Sequence, residues 1–322
     1  MLTAWHGLCR GLLLALAAAA VARAESDLET LLQRFRPDGP AAVLRHRIAY
    51  RFLGLEIRHL AESRLTVGLG DWQMATGGTQ RATLLYLEVD SIPSRTVRRR
   101  VSLHNRVVVV LRVPDLALLL YARLANEYID PWLRRARRIK EYTEYSFESG
   151  DLQFRDHNLL SGTIRTNTQD AAVLVAQSRE IGRLTALLLD IYAGRHPPVR
   201  WHDGLSVMLH AEGRPVPFGV TAHPAASPVR YDGERAALLV RVGPPREPGV
   251  QGYDFMAWVT SFADLSRRRG DPELQRLSAL AVCDSPVPLA VDFDLAVGCV
   301  RGALVAVAAT NLPGSGWAAG GD

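Results

Sequence analysis

The sequence contains one lysine, Lys140, three cysteines, and little that resembles a catalytic motif. Phosphate-binding loops of the G-x-x-x-x-G-K type end in a lysine, and Lys140 follows no such loop, so a nucleotide-binding protein of that kind is excluded. A G-x-S-x-G hydrolase turn is lacking too, because the Gly-Ser-Gly at residues 314–316 has no strand leading into it. Apolar residues make up 48% and charged residues 22% of the chain, which is typical of a globular protein and excludes a disordered one.

The first 24 residues have the three parts of an export signal. A short segment with Arg10 precedes an apolar run over residues 11–21, and Ala22-Arg23-Ala24 then provides the small residues that a signal peptidase requires. No later apolar run reaches the about 20 residues of a membrane-spanning helix. We expect cleavage after Ala24 and a mature protein in the periplasm or outside the cell; an uncleaved anchor or a buried helix is the alternative. Removing the signal lowers the net charge from +5 to +3, which argues against a nucleic-acid partner.

Two cysteines remain after cleavage, Cys283 and Cys299, because Cys9 lies in the signal. Two such residues in an oxidising compartment are a natural pair, and a bridge closing a loop of about 16 residues would contribute roughly 3 kcal/mol. We expect this disulfide, and two separate buried thiols are the alternative. The spacing fits neither a C-x-x-C redox pair nor a zinc site.

Residues 48–69 show the alternation of apolar and polar residues that is typical of a β-strand. The alternation changes parity at Leu53-Gly54, which predicts a β-bulge there. The run from Leu55 to Leu69 is long for a globular strand and suits a curled sheet or barrel, whereas a hairpin near residues 61–63 would lack a glycine or proline. Six side chains are predicted to line either a concave ligand-binding face or the packed core. They are Tyr50, Phe52, Leu55, Ile57, Leu65 and Val67.

The rest of the chain is predicted to form strands interrupted by helices, beginning with a short helix over residues 25–36. Helical insertions are predicted in three places, near residues 115–140, 178–193 and 254–282. We expect one exported domain over residues 25–310, mainly β with helical insertions (α+β), and a flexible tail at 311–322. Its long antiparallel strands would curl into a half-barrel or an open barrel.

A metal site is the strongest catalytic candidate in the sequence. His210 and Glu212 alternate along one predicted strand, so they share a face that His202 would approach. The three would suit zinc or copper in a secreted hydrolase, although their spacing matches no known signature and such residues are common on solvated strands. No carboxylate pair is placed across a cleft as a glycosidase requires. The main expectation is a protein without catalytic residues and without a cofactor.

A cluster of basic residues follows Asp130-Pro131, a pair that predicts the first turn of a helix. Its members are Arg134, Arg135, Arg137, Arg138 and Lys140. One face of this helix would dock an anionic surface, while a solvated helix face that only resists aggregation is the more common role of such a cluster.

Three segments occur in a fixed order along the chain. They are the opening strand Ile48–Ile57, then Glu141–Phe147 with a helix over Arg183–Arg195, and finally Asp284–Val287 with the glycine-led strand Gly298–Leu304. In this order they resemble a family of exported proteins of unknown function from Gram-negative bacteria. The resemblance implies long strands curled into a half-barrel similar to lipoprotein carriers, with helical insertions that are additional here. It implies no reaction, because that family has no established catalytic residues.

These observations favour a periplasmic, non-enzymatic binding or envelope-maintenance protein. Its ligand would be apolar or glycan-like, and lipid, lipoprotein or a glycan strand are the expected partners. Two alternatives remain open. One is a secreted metal-dependent hydrolase that uses His202, His210 and Glu212, and the other is a structural module that docks an anionic surface through Arg134–Lys140.

Overall fold

The computed structural model describes most of the chain between residues 24 and 311. The described residues are 24–52, 55–92, 101–113, 115, 117–129, 137–149, 152–169, 187–188, 190–200, 205–211, 214–231, 234–245, 255–261, 264–265, 286–294 and 299–311. The predicted signal, apart from Ala24, and the predicted tail, apart from Asn311, lie outside these ranges. Within them, no helix is both long enough and apolar enough to cross a membrane.

One antiparallel sheet of fifteen strands makes up nearly all of the described chain. The strands are β1 (Phe35–Pro37), β2 (Pro40–Phe52), β3 (Leu55–Gln73), β4 (Thr79–Ser91), β5 (Val101–Arg112), β6 (Leu118–Ile129), β7 (Arg137–Ser146), β8 (Leu152–Asn158), β9 (Thr163–Gln169), β10 (Ser206–Ala211), β11 (Arg214–Tyr231), β12 (Glu234–Pro245), β13 (Phe255–Ser261), β14 (Pro286–Asp294) and β15 (Cys299–Asn311). Their order in the sheet is β10-β11-β12-β13-β14-β15-β2-β3-β4-β5-β6-β7-β8-β9, and β1 pairs with β3. Since β9 and β10 end this order at separate edges, the sheet formed by the described strands is open.

The long strand predicted from the alternation after Leu55 is confirmed as β3. Phe52, the last residue of β2, pairs with Leu55, the first residue of β3, so the chain reverses direction between them. The parity change at Leu53-Gly54 therefore marks a hairpin, and the β-bulge predicted there was wrong. A hairpin and a β-bulge give the same pattern in the sequence, because a chain reversal and an inserted residue both move the following side chains to the opposite face.

The helical insertion predicted near 115–140 is strand where the structure describes it, and the one predicted near 254–282 is strand at 255–261 and helical at 264–265. The region near 115–140 contains β6 and the start of β7, and the region near 254–282 begins with β13. Leucines at helical spacing misled the prediction, because Leu120, Ala122 and Leu124 also alternate, and all three are fully buried on one face of β6. Pairing with β5 and β7 on both sides satisfies the backbone of β6, which outweighs local propensity.

Helices are few among the described residues. Helix α1 covers residues 24–32 and confirms the short helix predicted at the start of the domain, although the prediction extended to residue 36 and Phe35 and Arg36 lie on β1. The insertion predicted near 178–193 is described only at its end, where residues 187–188 and 190–192 are helical and form α2. Helix α1 packs Leu28, Leu31 and Leu32 into the core cluster on β3–β7, and α2 packs Leu188 and Ile191 into a second cluster on β11–β13.

Glu148 connects the end of α1 with the ends of β3 and β7 through hydrogen bonds. Its side chain is 2% exposed. It accepts hydrogen bonds from Arg34 Nη2 at 2.6 and 2.5 Å, from Trp72 Nε1 at 2.8 Å and from the backbone N–H of Ala75 at 2.5 Å. The Arg34 guanidinium also lies 4.5 Å from the centre of the Trp72 ring. Because a buried carboxylate needs charged and hydrogen-bonding partners, these contacts fix three elements together.

Candidate functional site

One side of β3–β7 is a completely buried core, which we call the packed face. It consists of Trp72, Ala82, Leu84, Tyr86, Val108, Val110, Leu120, Ala122, Leu124 and Tyr142, together with the apolar side of α1. None of these sheet side chains is more than 6% exposed. The packed face thus uses the protein's own helix as its cover.

The other side of the same strands carries a second apolar surface, which we call the open face. It consists of Leu65, Val67, Leu85, Leu87, Val107, Val109, Tyr121 and Tyr145. All eight side chains are half-buried, and only Leu65 and Val67 pack against a core cluster among the residues that the structure describes. An antiparallel sheet in water usually has one apolar and one polar side, so this second apolar side is unusual.

The strand register makes the open face continuous. Val67 stands opposite Leu85, Leu85 opposite Val109, and Val109 opposite Tyr121. Tyr121 in turn stands opposite Tyr145, so this row crosses all five strands, and Leu65, Leu87 and Val107 form a parallel row beside it. Neighbouring strands lie about 4.8 Å apart, so the longer row spans roughly 19 Å. The open face is therefore one continuous apolar surface and not a set of scattered residues.

Two tyrosines form one end of the open face. The ring centres of Tyr121 and Tyr145 are 5.8 Å apart, with an angle of 58° between the rings. Burial raises the pKa of both phenols above the usual value of 10. Both side chains are therefore neutral at physiological pH, and their rings extend the aliphatic surface without adding charge.

Polar side chains border the open face beside Val107 and Ala125. Asn105 Nδ2 donates a hydrogen bond of 2.8 Å to Glu127 Oε1, and Arg123 Nη2 donates one of 3.2 Å to the same oxygen. Because the border contains both signs of charge, it delimits the apolar surface without giving it a strong charge preference.

The closest approach to a catalytic arrangement lies on the side of α1. His104 Nδ1 is 2.8 Å from Asp90 Oδ1, and Arg106 Nη2 is 3.0 Å from Asp90 Oδ2. Burial acts to raise the pKa of Asp90, but the hydrogen bonds from His104 and Arg106 outweigh it and the pKa falls below its ordinary value. His104 Nε2 also lies 3.6 Å from Glu25 of α1. This group therefore connects α1 to the sheet through His104, which lies between Asp90 and Glu25.

The six predicted ligand-lining residues separate into two places. Leu65 and Val67 lie on the open face, at its boundary with the core cluster that contains Leu44. Tyr50 is half-buried and Ile57 is 42% exposed near the reversal of the β2–β3 hairpin, so Ile57 does not belong to a packed core. Phe52 and Leu55 are the last paired positions of that hairpin, and their side chains lie outside the described part.

The predicted basic helix is a strand where it is described. Arg138 and Lys140 lie on β7, with Arg138 exposed and Lys140 half-buried, and Arg137 begins this strand. The helix prediction failed because this stretch pairs with β6, where Lys140 stands opposite Asn126. Arg134 and Arg135 lie outside the described residues, and the described members of the cluster lie on a strand instead of a helix.

The predicted metal site and disulfide fall largely outside the described ranges. His202 and Glu212 lie outside them, and only the backbone position of His210, on β10, is described. Within the part of the chain that the structure describes, no group of three or more His, Cys, Asp or Glu side chains is arranged to hold a metal ion. Cys299 begins β15, while Cys283 lies outside, so the disulfide stays a prediction.

Sequence reasoning missed most of the open face. Tyr121 was assigned to a helix, and Leu85, Leu87, Val107 and Val109 were predicted as strand residues without a preferred side. A signal was present, since β4 and β5 contain the unbroken apolar runs 84–87 and 107–110 instead of an alternation of apolar and polar residues. These residues are aligned by the register between paired strands, and that register cannot be read from the sequence of any single strand.

No protein-family model matches the sequence, and no curated protein matches it either. A solved structure to which the chain is similar is that of a β-barrel-like protein of a domain of unknown function, DUF1849, from Brucella abortus. The two share 8% sequence identity with a TM-score of 0.39, and the match covers 86% of this chain and 100% of that chain.

Proposed function

We propose that this protein is an exported, non-enzymatic binding protein of the bacterial envelope that holds an apolar, acyl-chain-like ligand on the open face. The observation that carries the proposal is the continuous row of half-buried aliphatic and aromatic side chains across β3–β7. Monomeric proteins rarely expose contiguous apolar patches of this extent unless the patch meets a ligand, a partner or a membrane.

The shape of the sheet supports a ligand cavity rather than a flat surface. Leu44 of β2, Ala237 of β12 and Val287 of β14 belong to one buried cluster, and Leu65 of the open face packs against it. β11 also comes close to β14 and β15, which are three and four positions away in the sheet order. Both observations favour a sheet that curls toward the side of the open face, as in the predicted half-barrel.

The chemistry of the surface favours an acyl chain over a glycan. Sugars bind through many hydrogen bonds, whereas the row from Val67 to Tyr145 offers aliphatic carbon and two neutral rings. The polar border at Arg123, Asn105 and Glu127 would then face the polar end of the ligand. A largely preformed apolar surface with a few polar groups at one side is the usual form of such sites.

Titration with a dansyl-labelled fatty acid tests this function. The wild-type protein should enhance and blue-shift the dansyl emission. The double variant Leu87→Gln/Val109→Gln should bind about tenfold more weakly, since two aliphatic contacts are replaced by polar side chains. Val305→Gln is the matched control, because Val305 is an aliphatic side chain, 43% exposed, on β15.

Two results would contradict the proposal. One is unchanged binding by the double variant, with a melting temperature that shows it to be folded. The other is the failure of the wild-type protein to shift the emission of any lipid tested.

A further inference from the structure

The end of the β2–β3 hairpin combines exposed apolar and cationic side chains. Tyr50 and Ile57 stand directly opposite each other, as do Phe52 and Leu55 beyond them, so these four positions share one side of the hairpin. Ile57 is 42% exposed and is one of four large apolar residues that the described chain exposes. We call Tyr50–Phe52 and Leu55–Arg58 the hairpin tip.

The opposite side of the hairpin has an excess of arginine. Arg51 and Arg58 share a single acidic partner, Glu56, at 3.9 and 3.6 Å, and both arginine side chains are exposed, by 46% and 77%. Farther along the hairpin Arg45 stands directly opposite Arg64, and both are exposed. Like charges in direct cross-strand positions destabilise a sheet. Glu88 of β4, 3.8 Å from Arg64, offsets part of this repulsion within the fold.

A bulge sets the tip apart from the rest of the sheet. Between the pairs Ile48–Ala61 and Tyr50–Ile57, residues 58–60 of β3 stand opposite the single residue Ala49 of β2. His59 within this bulge has a φ of 59°, which non-glycine residues seldom adopt. Bulges bend and twist the strand that contains them, which separates the regular pairing of the tip from that of the strands behind it.

We propose that the hairpin tip docks the protein on a lipid bilayer that contains anionic phospholipids. Ile57 enters the interface, while Arg51 and Arg58 contact lipid phosphates. Apolar burial and the attraction of basic side chains to anionic lipid act together at such surfaces, and each arginine near the surface contributes binding energy of its own. A soluble polyanion would explain the arginines but not the exposed isoleucine.

This docking goes beyond the ligand-binding function and does not depend on it. The two surfaces are nevertheless compatible, because Tyr50 and Ile57 continue the side of the sheet on which Leu65 lies, eight residues farther along β3. A protein that takes up acyl chains would meet its ligand at such a bilayer.

Co-sedimentation with lipid vesicles tests the docking. The purified protein should sediment with vesicles of phosphatidylcholine and phosphatidylglycerol but not with phosphatidylcholine alone, and added salt should release it. Arg58→Glu should weaken vesicle binding about tenfold, since the reversal removes one attraction and adds one repulsion. The matched control is Arg165→Glu, which makes the same charge change at an exposed arginine on β9 and should leave binding unchanged.

The apolar contribution is tested without a charge change. Ile57→Ser should weaken binding severalfold, whereas Val305→Ser, at a valine of nearly equal exposure on another strand, should not. Equal losses for Arg58→Glu and Arg165→Glu would overturn the proposal, as would full binding by Ile57→Ser. Release by inorganic phosphate at constant ionic strength would overturn it in favour of a free anion. Arg58→Glu should still bind the dansyl-labelled fatty acid. This result would show that the variant has lost membrane docking and has kept ligand binding by the open face.

Discussion

The packed face and the open face are the two sides of the same strands, β3–β7, yet they are covered in different ways. The packed face has α1 above it, held by Glu148, and its sheet side chains are almost inaccessible to water. The open face has a similar aliphatic composition and stays half-buried. The usual second side of an antiparallel sheet is polar, so the apolar open face is the feature of these strands that the proposed function accounts for. The following predictions test this difference, from the largest expected effect to the smallest.

Removing the carboxylate that holds the cover of the packed face should have the largest effect. Glu148→Ala leaves the partly buried Arg34 guanidinium without its charge partner and frees the indole N–H of Trp72. Loss of one member of a buried ion pair lowers the free energy of unfolding by roughly 3–5 kcal/mol. Urea denaturation followed by tryptophan fluorescence measures it.

A surface pair provides the control for Glu148. Arg112 Nη2 lies 2.5 Å from Asp115 Oδ2, with side chains 38% and 39% exposed. Asp115→Ala should lower the free energy of unfolding by under about 0.5 kcal/mol, because water screens exposed pairs. Equal effects of the two variants would mean that Glu148 does not hold α1 in place.

Truncating one leucine on each side compares the two faces directly. Leu120 is fully buried on the packed face, and Leu120→Ala should lower the free energy of unfolding by about 3 kcal/mol. Leu87 is half-buried on the open face, and Leu87→Ala should lower it by under about 1 kcal/mol. Denaturant midpoints at a constant m-value measure both. A loss as large for Leu87 as for Leu120 would show that the open face is an ordinary core surface.

The same comparison shows what the sequence could and could not predict. The strand from Leu55 was predictable because its alternation persists over many residues. The presence of α1 was predictable too, but its end was not, because the chain turns at residues 33–34 and enters β1 before the proline-rich segment. β6 was not predictable, since Leu116, Leu119, Leu120 and Leu124 fit a helix as well as a strand. Only pairing with β5 and β7 decides between the two, and one segment does not contain that information.

The candidate site was less predictable than the fold. Leu65 and Val67 were identified because they lie on the most regular strand. The rest of the row depends on which residues of β4, β5, β6 and β7 stand opposite one another. A shift of one residue in any pairing would move the partner to the packed side, so the open face is a property of the register.

A smaller effect is expected where β1 pairs with β3, with Pro37 opposite Gly70. A Cβ atom at Gly70 would collide with the carbonyl oxygen of Arg36 and lie 2.8 Å from Pro37 Cα. Both are backbone atoms, so Gly70→Ala should lower the free energy of unfolding by about 2 kcal/mol through displacement of β1. Gly39→Ala is the control, because nothing lies within 4 Å of its Cβ position. Thermal unfolding that gives equal shifts for the two variants would refute the close approach.

The smallest effect concerns His46, which marks where the side of the sheet containing the open face becomes buried. His46 lies on the same side of β2 as Leu44, is 6% exposed, and its Nε2–H donates a hydrogen bond of 2.8 Å to the carbonyl oxygen of Pro288 on β14. Because β15 separates β2 from β14 in the sheet order, this bond joins strands that are not neighbours. Burial lowers the pKa of His46 below its usual value of 6.5.

The sign of the resulting pH dependence follows from this shift. Below pH 6.5 the unfolded chain takes up a proton at His46 before the folded protein does, so the free energy of unfolding falls as the pH falls toward the folded pKa. His46→Gln cannot titrate and should flatten this dependence by about 1 kcal/mol between pH 7 and pH 5. Urea denaturation of both proteins across this pH range measures their free energies of unfolding. Subtracting one profile from the other cancels the contributions of all other titrating groups. Parallel profiles would show that His46 is reached by water, and that the open face extends to β14 instead of ending in a closed core.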